Sequence, residues 1–305
     1  MVLTVISTSR EDHLHQFASG WKQNYYGKGD VIVYRLHRDG RSLPGQSPIF
    51  GANVMMLLYG DAFWPTYATG DNTNLVATDS MKNFIQRETL HFHGSDLESY
   101  CHFLADKFMN TYPQTEGIQV TAAEIPYNPL PGGNMGFEPS GPERATARIE
   151  LRRIGAELQA VEACSGIRGF KLLRLGGSAF CGFVRDEYTT LPDIKNRPLH
   201  MWLDLEWSYT NFDSAYSNGT ITAHVRKIVG RVFQGFESGS IQQVIYQMGN
   251  KMLDEIPEIA EIHFEANNRT WDTVTEEGEH TGIYTEARPP FGCLGLRLRR
   301  SQVVK

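Results

Sequence analysis

LHMWLDLEWSYTNFDSAYSNGTITAHVRKIVGRVFQGFESGSIQQVIYQMGNKMLDEIPEIAEIHFE, residues 199–265, changes its hydrophobic period twice. Leu199, Met201, Leu203, Leu205 and Trp207 alternate with His200, Trp202, Asp204, Glu206 and Ser208, the pattern of a strand with one covered face. Val225, Ile228, Val229, Val232 and Phe236 then recur at helical spacing, and Ile241, Ile245, Met248, Met252 and Ile256 form a second helical stripe. Ile259 to Glu265 alternates again. On either side, Phe170 to Phe183 is strand-like with a break at Gly176-Gly177, and Leu294 to Leu298 is a closing alternating run.

The first half has the same order. Val31 to Leu36 and Ile49 to Tyr59 read as strands, and VATDSMKNFIQRETL (76–90) as a helix from about Asp79. A second helix starts at Ser95, where Ser95 and Glu98 have capping-box spacing, and carries Leu97, Cys101, Leu104 and Phe108 on one face. Ile118, Val120 and Ala122, then Ala147, Ile149 and Leu151, return to period two across a long Pro- and Gly-rich loop, NPLPGGNMGFEPSGPE (128–143). Each half reads strand, strand, helix, helix, strand, strand. Antiparallel sheets with paired helices on one face belong to the α+β class, and wide sheets of this kind can lose their edges by oligomerising into a barrel. The expected divisions are an N-terminal extension (1–25), a first ββααββ unit (26–155) and a second (156–305).

The 305 residues carry 29 Lys+Arg against 35 Asp+Glu, a net charge of −6, with 41% apolar and 21% charged residues. That composition excludes wholesale disorder, and the acidic balance argues against a nucleic-acid partner. No apolar run is long enough to span a bilayer, and no basic n-region precedes the first apolar patch, so neither membrane nor secretion is expected. Four well-spaced cysteines without a C-x-x-C pair fit a reducing cytoplasm.

His91 and His93 could face the same way on an extended stretch, but no third ligand stands at a persuasive spacing, so no metal is expected. Phosphate-cradling and hydrolase motifs are absent in the contexts they need. Two segments invite chemistry. FVRDEYTTLPDIKNR (183–197), read as a loop, ends in Arg197, whose planar fork suits an oxyanion or a lactam edge. Thr78 and Asp79 sit where the chain enters a helix, and are either a simple N-cap or a source of free backbone N–H groups.

YGKGDV (26–31), VATDSMKN (76–83), SAFCGFVRDEYTTL (178–191) with Arg197, SIQQVIYQM (240–248) and the closing GCLGLRLRR are similar, in order, to the urate oxidase (uricase) family. The resemblance covers roughly residues 25–300. It implies two tandem tunnelling-fold (T-fold) units, a homotetramer with active sites between subunits, and no cofactor, O₂ being the co-substrate. The implied reaction converts urate to 5-hydroxyisourate and hydrogen peroxide. Carried onto this sequence, the catalytic positions are Lys28, Thr78, Asn267 and Arg269. The substrate-binding positions are Asp79, Phe180, Leu191, Arg197, Ile241 and Gln242.

These residue types suit a flat oxopurine. Phe180 offers a stacking surface, Arg197 and Gln242 grip the ring's oxygen and N–H edge, and Lys28 with Thr78 relays a proton. A free lysine is protonated at neutral pH and only its neutral amine can act as a base, so that relay needs surroundings that ease its deprotonation. Arg269 departs from the family, whose relay has histidine there, and arginine cannot shuttle a proton. It could repel the charged form of Lys28 or hold an anionic group. The family's H-x-H-S-F motif is missing near Asn134-Met135-Gly136-Phe137, and SQVVK is not a peroxisomal SKL signal. Two alternatives follow: a uricase-like oxidase of another heterocycle, such as an indole or pterin, or a catalytically silent binder.

Overall fold

A computed structural model describes residues 24–41, 47–269, 271–278 and 281–300. The expected extension lies outside them up to residue 23, as does the closing SQVVK. One compact unit takes in residues up to Pro139 together with Thr146–Ala163; the other takes in Ser140–Ala145 and everything described from Cys164 on.

In the first unit β1 (Tyr26–Leu36) pairs antiparallel with β2 (Ile49–Tyr59). Three helices follow: α1 (Trp64–Thr69), α2 (Thr78–Glu88) and α3 (Leu97–Thr111). β3 (Gly117–Glu124) pairs with β2 and with β6 (Arg144–Ile154), giving the order β1-β2-β3-β6. A small hairpin, β4 (Tyr127–Pro129) with β5 (Phe137–Pro139), stands inside what the sequence reads as a long loop.

β7 (Glu157–Phe180) leads into the second unit, where it pairs with β8 (Ile194–Tyr209). Then come α4 (Asp213–Ser217), α5 (Ile221–Gly235) and α6 (Ile241–Glu255). β9 (Ile259–Asn268) pairs with β8 and with β12 (Gly292–Arg299), and the hairpin β10 (Thr273–Glu277) with β11 (Thr281–Tyr284) lies between them in sequence. The expected order therefore holds in both halves. Each adds a short helix before its pair and a hairpin before its last strand.

The cores follow the periodicity. Met81 and Ile85 of α2 and Leu97, Cys101, Leu104 and Phe108 of α3 are buried, as are Val54, Met56, Leu58, Ile118, Val120 and Ile149 of the sheet. In the second unit the buried set joins Val225, Ile228 and Val229 of α5 and Ile245, Met248 and Met252 of α6 to Leu199 through Trp207 on alternate positions. Each such side chain contributes about 1.5–3 kcal/mol. Gly249 lets α6 lie close to the sheet, since a Cβ there would meet Leu298 Cδ1 at 2.5 Å and Phe264 Cε2 at 3.0 Å.

Four local readings are corrected. The N-cap of α3 is Asp96, whose carboxylate accepts from Ser99 N at 2.8 Å, so the capping box at Ser95 does not form. Asp96 succeeds because its backbone is extended while its oxygen reaches the third helical N–H. Phe236 lies past the end of α5 in extended conformation and does not extend that helix's stripe. β7 runs through Gly176-Gly177 instead of breaking; Gly177, at φ +75°, is absorbed as a register shift. β8 begins at Ile194, paired with Phe180, so Arg197 stands on a strand and not in a loop.

Candidate active site

Lys28 owes its setting to a β-bulge. Lys28 faces Met56 and Val31 faces Val54, which leaves Gly29 and Asp30 opposite Met55 alone. Such an extra residue bends the strand and re-aims the side chain beside it. Asp30 takes φ +57°, and its carboxylate accepts from Asn53 Nδ2 at 2.7 Å. Gly27 has no freedom to be anything larger, because a Cβ would fall 1.9 Å from Met56 O. The YGKGD motif is thus a backbone device for placing a half-buried lysine.

Thr78 and Asp79 are the first two residues of α2, and the N-cap is Ala77, which has no side chain to offer. The simple N-cap reading fails for both. The first-turn N–H groups have no side-chain cap, which is the arrangement that receives an anionic or lactam oxygen. Asp79 is exposed; hydrogen bonding to Lys82 (2.5 Å), helped by Asn83 (2.9 Å) and weakly by the charge of Lys28, holds its carboxyl below its ordinary range. Tyr26 accepts from Val76 N at 3.0 Å and fixes the approach to the helix.

In the second unit the end of β7, which carries Phe180, is tied to the loop before Ile241 and Gln242 by a side chain the sequence reading passed over. Arg174 donates to Phe233 O and Phe236 O, each at 2.8 Å, to Gly177 O at 2.9 Å and to Ser238 Oγ at 2.6 Å. It ties the end of β7 to the loop before α6. Ala179 N donates to Ser238 O and Ser238 N to Gly177 O, a parallel bridge that sets Phe180 near the start of α6. There Ser240 caps Gln243 N while Gln243 Oε1 accepts from Gly239 N, so Gln243 is occupied and Gln242 is exposed. Ile241 is buried, leaving its backbone N–H as what it has to offer a ligand.

The Arg197 guanidinium carbon lies 5.7 Å from the Phe180 ring centroid. Its Nε is buried without a partner, and burial lowers its pKa from the ordinary arginine value. Phe183 stacks on Phe180 at 5.0 Å. Leu191 is exposed in a loop organised by Asp186, which accepts from Tyr188 N and Thr189 Oγ1, and by the Arg185–Asp193 pair at 3.3 Å.

Asn267 sits on β9 between Trp202 and Cys293 in register. Arg269 is held by stacking: its guanidinium carbon is 4.1 Å from the Trp202 centroid and 3.9 Å from that of Phe291. Lys28, Thr78 and Asp79 thus belong to the first unit and the other seven residues to the second. Among the described residues no cluster of three His, Cys, Asp or Glu could hold a metal ion, and no helix is long and apolar enough to cross a membrane.

The sequence model of the uricase family matches residues 163–294. The uricase of Halalkalicoccus jeotgali is 36% identical over 302 residues, covering 91% of this chain and 98% of that protein. The chain belongs to the uricase family. The uric acid degradation bifunctional protein PucL of Bacillus subtilis is 35% identical over 304 residues. The chain spans 62% and 58% of the lengths of PucL and of its Bacillus sp. TB-90 counterpart. Among solved structures, a mutant of the Bacillus sp. TB-90 urate oxidase aligns with TM-score 0.80 at 36% identity, covering 91% of this chain and all of that one. A uricase from Bacillus fastidious aligns with TM-score 0.83 at 34% identity, covering 92% and 95%. The α+β architecture of paired ββααββ units is accordingly the uricase T-fold.

Proposed function

We propose that this uricase-family chain is an oxidoreductase that hydroxylates urate: urate, O₂ and H₂O give 5-hydroxyisourate and H₂O₂. The observation that carries the reading is the buried, unpartnered Arg197 Nε beside the Phe180 ring, a fork and a platform for a planar lactam. Membership in the uricase family names urate among such rings. Phe180 stacks the ring, while Arg197, Gln242 and the backbone N–H of Ile241 bind its edge. The uncapped start of α2 at Thr78 and Asp79 receives a further ring oxygen. Lys28 and Thr78 take up a proton, leaving an electron-rich anion, and Asn267 faces the oxygen. Electrons pass from that anion to O₂, so no metal, flavin or haem is required.

Arg269 cannot take the third place in a proton relay, and its stacking on two rings gives it a fixed cationic position instead. The working form is a homotetramer in which neighbouring chains complete each site, with tandem units at 26–155 and 156–305 after a short extension. Four cysteines outside any disulfide support a cytoplasmic location. The test incubates metal-free protein with urate, with and without oxygen. Loss of the urate absorbance with matching O₂ uptake and peroxide release is expected; tight urate binding without turnover would leave only a silent binder.

A further inference from the structure

Beyond the Arg197 clamp, the second unit stacks two cations on one indole ring. Lys171 on β7 is the cross-strand partner of Trp202 on β8, and its Nζ lies 4.2 Å from the indole centroid. Arg269 approaches the same ring at 4.1 Å. Neither cation has an ion pair or a side-chain hydrogen bond among the described residues, and Arg269 Nε is buried without a partner. A cavity of about 480 Å³ opens here, lined by Lys171, His200, Trp202, Trp271, Glu286 and the Gly282–Thr285 stretch.

Two more polar atoms are orphaned at that cavity. His200 Nδ1 and Trp202 Nε1 are both buried without a hydrogen-bond partner. Buried donors and acceptors are normally satisfied, so two orphans beside two unpaired cations mark a place that a ligand completes. Burial, then the charges of Lys171 and Arg269, push the His200 imidazole below its ordinary pKa. The walls are aromatic: Trp271 is 5.5 Å from the His200 ring and 5.7 Å from that of Tyr284. One carboxylate, Glu286, lines the same cavity.

We propose that the Lys171–His200–Trp202 cavity is a second ligand site, distinct from the Arg197 clamp, that binds a planar aromatic monoanion. Its charged group is taken by the Lys171 ammonium and the Trp202 N–H, its ring lies against Trp271 and Tyr284, and Arg269 adds charge from behind Trp202. Arg197 precedes Trp202 by five residues along β8, about 16 Å at strand rise, so the two sites do not share a headgroup.

Benzoate titrated calorimetrically into the full chain tests this. One site per chain is expected in the wild type and in Arg197→Gln. Affinity should fall about tenfold or more in Lys171→Gln, the scale of a lost charge-assisted hydrogen bond, and several-fold in Trp202→Phe, which keeps a ring but loses the N–H. Lys171 is exposed, so its variant folds as the parent does. Absence of benzoate binding overturns the proposal, as does binding lost in Arg197→Gln but kept in Lys171→Gln. Displacement by equimolar chloride also overturns it, since a planar ring would then not be what the site selects. Urate turnover plays no part in these readings, so the proposed oxidase activity can fail without this inference failing, and the converse.

Discussion

Arg197 carries its guanidinium half-buried with Nε unpartnered, and a bound lactam edge would complete it. Truncating one member of a buried, charge-assisted contact costs about 2–5 kcal/mol. Arg197→Gln is therefore expected to lower kcat/KM for urate by at least about thirtyfold, read by steady-state kinetics, with the folded state intact by circular dichroism. Tyr26 has a different signature. Burial raises its phenol from the ordinary 10.0 to about 12, against a smaller opposing effect of the Val76 N–H. The folded state holds that proton more tightly than the unfolded chain. The resulting stability is fully present below pH 10 and is lost as pH rises toward 12. The stability difference between wild type and Tyr26→Phe, from urea unfolding, should thus shrink across that window. The sequence made Arg197 conspicuous as a fork in a charged segment. It gave no hint of the tie Tyr26 makes, which depends on an N–H fifty residues away.

Among the elements, the join between β7 and α6 is the part on which the site's assembly turns. Arg174 closes it with four hydrogen bonds to groups from three separate segments. Arg174→Met should cost about 2–4 kcal/mol in urea unfolding and raise KM for urate, because Phe180 and Gln242 lose their mutual placement. Asp96→Ala, which removes the α3 cap for about 1 kcal/mol, is the control that should leave KM unchanged. The helical stripes and alternating strands were legible because period reports which face is covered. Arg174 was not, since in KLLRLGG it reads as a solvent-facing strand residue. The bulge after Lys28 was equally hidden: Gly29 and Asp30 announce a turn, and only the register with β2 makes them an insertion.

At the scale of the molecule, β1 pairs with β2 alone among the described strands. Its outward side chains Ile32, Tyr34 and Leu36 are 49%, 47% and 54% exposed, an apolar edge of the kind that proteins cover. With the tetramer proposed above, Ile32→Lys should shift the sedimenting species to lower mass and reduce turnover with it. A wild type that sediments as a monomer would remove the shared-site arrangement. Hydrophobic period determined the α+β class and the duplicated strand and helix order, because period is local; a few motifs, through their resemblance to a family, supplied the family and the candidate site residues. Tertiary structure alone decided how they are held: the lysine re-aimed by a bulge, the helix start left uncapped by Ala77, the Arg174 tie, and the cations stacked on Trp202. Those depend on which distant backbone groups and rings meet, and no local pattern of residues encodes a meeting across strands.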